Sequence, residues 1–248
     1  MLKPVTPFAE SVSSAMVAHR AGDLTVSDRD DAQGDTPPDA WMRANYKRYP
    51  RLPSVDISKL DAPVARAARV SVRDFDERPV RIEDLSKILH AAAAIYSITP
   101  PLHRPLPSAG ARWPIEVYLF AWCVEGIPRG LYHYGAADDR LVILLDEANL
   151  PNPVELVGES CTNPPCLAIL TGVMHRSTVK YGGRGYRYVL MEAGAFAGRI
   201  DDVAVDCGLG TLWIGGFDDG QVASMIDASW NLEEEAPLLL LALGYAVE

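Results

Sequence analysis

The stretch RSTVKYGGRGYRYVLMEAGAFAG runs from Arg176 to Gly198. Its first thirteen residues gather Arg176, Lys180, Arg184 and Arg187, with three tyrosines and three glycines and no acid. Beyond them Val189, Leu190, Ala193, Phe196, Ala197, Ile200, Val203 and Ala204 recur at helical spacing, which predicts a helix over about 186–205. Gly194 and Gly198, four apart on that helix, permit close packing of another helix, and Gly208-Leu209-Gly210 suits its end. At the start of the stretch Lys180 adjoins Tyr181. An ammonium beside a phenol favours the phenolate, so Tyr181 can serve as a general base. The same residues also suit a basic surface loop with aromatic packing.

Working outward, CLAILTGVM (166–174) is apolar throughout and reads as a central strand. PIEVYLFAWCV (114–124) is β-branched and aromatic, a second strand. GLYHY and RLVILL (130–145) form a hairpin around Ala-Ala-Asp-Asp. After Pro79, Ile82, Leu85, Ile88, Leu89 and Ala92 share one helical face, with Glu83 and Asp84 in the first turn where the helix dipole favours acids. A short helix over 218–228 and a buried strand LLLLALGY (238–245) complete the pattern. The fold class is α+β: a mainly antiparallel central sheet flanked by helices. Residues 1–50 read as an N-terminal helix followed by an extended or mobile lead-in, since LTVSDRDDAQGDTPPDA (24–40) is polar, acidic and turn-rich. Residues 51–248 form the single main domain.

A chain of 248 residues can bury a substantial core, and 48% hydrophobic with 23% charged residues is ordinary for a globular enzyme. The net charge of -10 argues against nucleic-acid binding, which needs a broad basic face. No stretch reads as a signal peptide, and the apolar runs are too short to span a bilayer, so a cytoplasmic location is expected with no membrane partner. Cys123, Cys161, Cys166 and Cys207 form no CxxC pair and the five histidines are scattered, so free thiols and no metal are expected. P-loop, G-x-S-x-G and H-E-x-x-H patterns are absent, and the glycines at 208, 210, 215 and 216 do not make a Rossmann fingerprint.

Three more stretches place small residues or hydroxyls beside cations. Alternation puts Arg69, Ser71 and Arg73 on one side of an extended segment. Two guanidiniums and a hydroxyl suit a phosphate, though a solvated strand edge would look the same. Pro107-Ser108-Ala109-Gly110 makes a rigid loop that lets a flat ligand approach backbone amides, or a plain loop. Gly215-Gly216 before a helix start can offer N–H donors, or can be a helix-entry turn.

In this order the stretches resemble the nitroreductase-like flavoprotein superfamily. RVSVRDF is similar to its flavin-phosphate segment. RPLPSAGARWPIEVYLF, VEGIPRGLYHY, KYGGRGYRYVLMEAGAFAG and GLGTLWIGGF resemble one branch more closely, the azoline dehydrogenases of the streptolysin-S and microcin type. The resemblance spans roughly residues 45–245, and KRYPRLP (47–53) fits its lead-in. It implies FMN as cofactor and a homodimer with shared flavin sites. Arg69, Ser71 and Arg73 would hold the phosphate and ribityl chain. Pro107, Ser108 and Gly110 would approach the isoalloxazine from the partner subunit. Backbone groups of Gly215 and Gly216 would lie near flavin N5, and Gly208 and Gly210 would shape the turn beneath. Lys180 and Tyr181 would be the catalytic pair. Many nitroreductases carry a basic tail after the last strand, whereas this chain stops at Glu248 soon after LLLLALGY, so Arg184 or Arg187 would compensate at the phosphate.

The implied activity is oxidation of thiazoline or oxazoline rings to thiazole or oxazole in a ribosomally synthesised peptide. Proton removal by Tyr181 and Lys180 would accompany hydride transfer to the flavin, with reoxidation by molecular oxygen. The azoline-containing precursor peptide and a cyclodehydratase are the implied partners. The alternatives are an NAD(P)H-dependent nitro or quinone reductase of the same fold, and a catalytically silent scaffold in a peptide-modifying complex.

Overall fold

A computed structural model of the chain describes residues 69–97, 103–226 and 235–247. The expected N-terminal helix and lead-in over 1–50 lie outside these residues.

The apolar run at Cys166–Val173 becomes β6 and is buried at every position. That is the burial of a strand with neighbours on both sides and layers on both faces. β2 (Ile115–Ala121) pairs with it antiparallel, Tyr118 opposite Ile169, and β8 (Glu235–Gly244) pairs antiparallel on the other side, Leu240 opposite Ile169. The hairpin forms as β4 (Gly130–Gly135) and β5 (Arg140–Asp146), and β7 (Gly210–Ile214) closes the far edge. The order is β5-β4-β2-β6-β8-β7, and every neighbouring pair is antiparallel. A separate two-stranded parallel ribbon joins β1 (Val80–Arg81) to β3 (Val124–Glu125).

Alternation along β2 divides the core. Val117, Leu119 and Ala121 face α1 (Ile82–Ala93) and the long α4 (Arg184–Asp206), with Ile88, Phe196 and Ile200. Tyr118 and Phe120 face the other side, against Leu212, Val222 and Ile226. That side is covered by α5 (Asp219–Ile226) and α2 (Pro153–Val157). In α2 the Asn152 side chain accepts the Val154 N–H, with Pro153 at the first helical position.

The 23 residues of α4 reach about 34 Å at the usual helical rise. The helix ends as expected: Leu209 N–H bonds the Ala204 carbonyl at 2.9 Å around Gly208 at φ 77°. Its outer face carries Leu190 and Met191, 43% and 65% exposed. No atom of the described residues lies within 4 Å of where a Cβ on Gly194 or Gly198 would stand. The helix that these glycines could admit is therefore not supplied by the described residues.

Sequence periodicity did not reveal α3 (Met174–Tyr181). It buries only Met174, Ser177 and Thr178, too few apolar positions to show a helical stripe. Gly182, at φ 58°, ends it by donating to the Thr178 carbonyl at 2.8 Å.

Candidate functional site

The residues singled out in the sequence gather into two groups. The first lies along the free edge of β7. Ser71 bridges Thr211 in parallel, and Val72 N–H donates to the Thr211 carbonyl at 2.9 Å. Gly210 makes this approach possible, because a Cβ there would stand 2.5 Å from Val72 Cγ2. Arg69 turns back over the strand. Its Nε donates to Asp201 Oδ2 at 2.6 Å, Nη1 to Ser71 Oγ at 3.1 Å and Nη2 to Thr211 Oγ1 at 3.3 Å. The guanidinium lies 6.0 Å from the Trp213 ring centroid. The Thr211 hydroxyl closes the cluster by donating to Asp201 Oδ1. These charge-assisted bonds fix a guanidinium and a hydroxyl at one strand edge. At the end of the same strand follow Gly215 and Gly216, with no atom within 4 Å of where a Gly215 Cβ would stand. Asp218 then caps α5, accepting Gln221 N–H at 2.9 Å. Arg73 is exposed; its carbonyl accepts Thr162 N–H at 2.8 Å, and its side chain makes no hydrogen bond or ion pair among the described residues.

The second group centres on Gly110, at φ 62° in the turn Ala109–Ala111. A Cβ there would stand 2.5 Å from Tyr181 Oη and 2.6 Å from Lys180 Nζ. The loop and the Lys-Tyr pair, distant in sequence, thus meet within one chain. Lys180 Nζ lies 5.4 Å from the Tyr181 ring centroid, in the last turn of α3 where the dipole favours a cation. Tyr188 of α4 meets Tyr181 edge-on, centroids 5.0 Å apart. Ser108 shapes the loop: its carbonyl accepts Ala111 N–H at 3.1 Å and its hydroxyl accepts Trp113 N–H at 2.9 Å.

Beneath this loop Glu192 of α4 is only 5% exposed. Burial pushes its carboxyl up to about 7, against the Ser108 hydroxyl, the Arg104 charge and the Ala109 N–H, which favour the ionised form. Arg104 packs over Trp113 at 5.4 Å. Glu192 Oε1, Arg104 Nε and Trp113 Nε1 are buried without a hydrogen-bond partner among the described residues. Alongside, Arg176 pairs with Glu116 Oε1 at 2.5 Å and donates to the Trp113 carbonyl at 2.9 Å, while Arg112 Nε donates to the Arg176 carbonyl at 2.6 Å. Burial opposes ionisation of Glu116, but His133 and Arg176 outweigh it and hold the carboxyl below its usual range.

The four cations of the opening stretch therefore divide. Arg176 braces the loop, Lys180 accompanies Tyr181, and Arg184 and Arg187 are exposed without a hydrogen bond or ion pair among the described residues. Among the described residues no hydrogen bond, ion pair or ring contact joins Arg69, Ser71 and Gly215 to Gly110, Lys180 and Tyr181. Asp201, Thr211 and Glu192 were missed in the sequence. Two of them carried a signal: Asp201 and Glu192 are carboxylates on the otherwise apolar face of α4.

The two groups fit a flavin mononucleotide. The first offers a guanidinium and a hydroxyl for an anion beside an open glycine turn, and the second offers bare backbone at Gly110 for a flat ring beside an ammonium and a phenol. Among the described residues no cluster of His, Cys, Asp and Glu could hold a metal ion, and no helix is long and apolar enough to cross a membrane.

A six-stranded antiparallel sheet crossed by one long helix, with an arginine-serine pair at its edge, makes an α+β fold of the nitroreductase type. The nitroreductase family profile matches residues 67–245, and the chain belongs to that family. A Methanocaldococcus jannaschii protein provisionally named a nitroreductase is 32% identical over 202 residues, covering 80% of this chain and 96% of that protein. The microcin B17-processing protein McbC of Escherichia coli is 29% identical over 180 residues, covering 68% of this chain and 64% of McbC. Among solved structures, the E. coli microcin synthetase McbBCD complex with truncated pro-MccB17 bound contains a chain that matches with a TM-score of 0.81. The two chains are 22% identical, over 98% of this chain and 96% of the other. A Ralstonia eutropha protein provisionally named a nitroreductase matches at 0.62, with 24% identity over 79% of this chain and 94% of its own. The similarity to the microcin-processing branch agrees with the resemblance read from the motifs.

Proposed function

We propose that this protein is an FMN-dependent dehydrogenase that oxidises thiazoline or oxazoline rings in a ribosomally synthesised peptide to thiazole or oxazole. The observation that carries the reading is the Lys180–Tyr181 pair held against Gly110. Reduction of a nitro group by hydride needs no such base. Abstraction of a proton from an azoline ring carbon does. Tyr181 Oη is the proton acceptor, assisted by the Lys180 ammonium beside it. Gly110 keeps both groups clear of a Cβ and leaves room for the ring of the substrate. FMN, when bound, supplies the hydride acceptor, with molecular oxygen as the final oxidant.

Arg69 and Ser71 hold the phosphate, with Arg73 and Arg184 as further cations, and Gly215 and Gly216 border the ring system. The separation of the two groups within one chain, and the open face of α4 at Met191, Gly194 and Gly198, support a homodimer. In such a dimer Pro107, Ser108 and Gly110 of one subunit meet the flavin held by the other. Lys180 and Tyr181 then come with that loop. The azoline-containing precursor peptide is the substrate and a cyclodehydratase the upstream partner, in the cytoplasm.

The test is the visible spectrum of the purified protein, the identity of the cofactor released on denaturation, and its response to NADH and NADPH. The reading expects flavin bands, free FMN near one per chain, and no bleaching by either nucleotide. Rapid bleaching by NADPH points to a nitro or quinone reductase. A colourless protein that FMN cannot reconstitute points to a scaffold.

A further inference from the structure

The roles assigned so far leave Glu192 without a task. It is 5% exposed on α4, one turn beyond Tyr188, whose ring meets Tyr181 edge-on. A carboxyl this deep is costly unless it is hydrogen-bonded. Its Oε1 has no partner among the described residues, while the Ser108 hydroxyl and the Ala109 N–H lie against the group. Ser108 Oγ already accepts Trp113 N–H at 2.9 Å, so its own proton is free to be donated to the carboxyl. The two residues before Gly110 thus face a carboxyl of α4, and a Cβ on Gly110 would stand 2.5 Å from Tyr181 Oη and 2.6 Å from Lys180 Nζ.

We propose that Glu192 is a positioning residue: its carboxyl anchors Ser108 and Ala109 and so sets how closely Gly110 approaches Lys180 and Tyr181. The inference rests on the azoline-dehydrogenase reading only for what the pair does. The anchor follows from a buried acceptor facing two donors on one loop. Arg104 cannot replace it, because a guanidinium has no acceptor for Ala109 N–H or the Ser108 hydroxyl.

The test compares Glu192→Gln, which keeps a carbonyl acceptor, with Glu192→Leu, which keeps the bulk and loses both acceptors. Three readouts are taken on the FMN-loaded protein: amide hydrogen exchange over 107–113, the visible flavin spectrum, and kcat and KM with an azoline peptide. In Glu192→Leu, exchange at Ala109–Ala111 is expected to rise about tenfold, as for loss of one hydrogen bond to a charged group. Exchange in β6 stays unchanged. Its kcat falls about a hundredfold with little change in KM, the effect of moving reacting groups by about 1 Å. Glu192→Gln stays near wild type in all three. Adding Ser108→Ala to Glu192→Leu costs less than the two single losses summed, because they share one contact; the remainder is the Trp113 N–H that Ser108 Oγ also accepts.

Wild-type exchange and kcat in Glu192→Leu overturn the proposal. So does a Glu192→Gln variant as impaired as Glu192→Leu, which would assign the residue a charge rather than an anchor. If Glu192→Leu does not fold, Ser108→Ala must raise exchange at Ala109 as well as at Trp113, whose N–H it frees directly, and an unchanged Ala109 there overturns the proposal equally. If the wild type fails to oxidise azolines while loop exchange still answers to Glu192, the functional reading falls and the anchor stands.

Discussion

Gly110→Ala puts one methyl group into the closest contact of the site. The backbone there has φ 62°, so an alanine costs about 1 kcal/mol for the left-handed conformation alone. Its Cβ would lie 2.5 Å from Tyr181 Oη and 2.6 Å from Lys180 Nζ. Ordinary contacts need about 3.5 Å, so both tips must withdraw by about 1 Å. The tips end flexible side chains, and the fold absorbs the shift. The chemistry does not, since a displacement of about 1 Å at reacting groups costs about a hundredfold in rate. We expect a melting temperature lower by about 3 °C, as for a loss near 1 kcal/mol in a chain of this size. Bound FMN should stay within a few-fold of wild type and kcat on an azoline peptide should drop about a hundredfold. The assays are a thermal melt, flavin content and single-substrate kinetics. Wild-type kcat in a folded, flavin-loaded Gly110→Ala would refute the placement of the pair. Loss of folding would show that the clash falls on backbone rather than on side-chain tips.

The remaining expectations concern stability, cofactor and assembly. Glu192 titrates near 7 in the folded chain against a usual value of 4.5, so the folded state binds more protons than the unfolded one between those values. Its contribution is full below pH 4.5 and is lost as pH rises to about 7, by up to about 3 kcal/mol. Denaturant titrations at several pH values should show this decline in wild type and its absence in Glu192→Gln; equal slopes would contradict it. Arg69→Lys keeps the charge but loses the fork that spans Asp201, Ser71 and Thr211, and FMN affinity measured by fluorescence should fall about tenfold. Met191→Glu places a charge on the open face of α4, and sedimentation should find a monomer that has lost its flavin; a flavin-loaded dimer would place the interface elsewhere.

Legibility followed the kind of signal each feature leaves. β6, β2 and β8 were readable because apolar and β-branched runs of strand length have few other uses, and α4 because its stripe repeats over 23 residues. α3 left no stripe, since two of its three buried positions are the hydroxyls of Ser177 and Thr178 rather than apolar side chains. The Lys180–Tyr181 pair was visible as neighbours in sequence. Its contact with Gly110 was not, because only the antiparallel pairing of β2 with β6 brings the loop before one beside the helix after the other. Arg69 shows the same limit. Its cationic character was plain, but its partner Asp201 lies 132 residues away. A lone carboxylate among Val189, Ala193 and Phe196 was the readable trace of Glu192, and its meaning depended on the loop that covers it.

The central claim is that Tyr181 removes a proton from an azoline ring. The most direct measurement is mass spectrometry of an azoline-containing peptide incubated in air with FMN-loaded wild type and with Tyr181→Phe. The account predicts loss of two hydrogens per ring with wild type, and none with a Tyr181→Phe variant that keeps its flavin spectrum. Full oxidation by Tyr181→Phe, or none by flavin-loaded wild type, would contradict it.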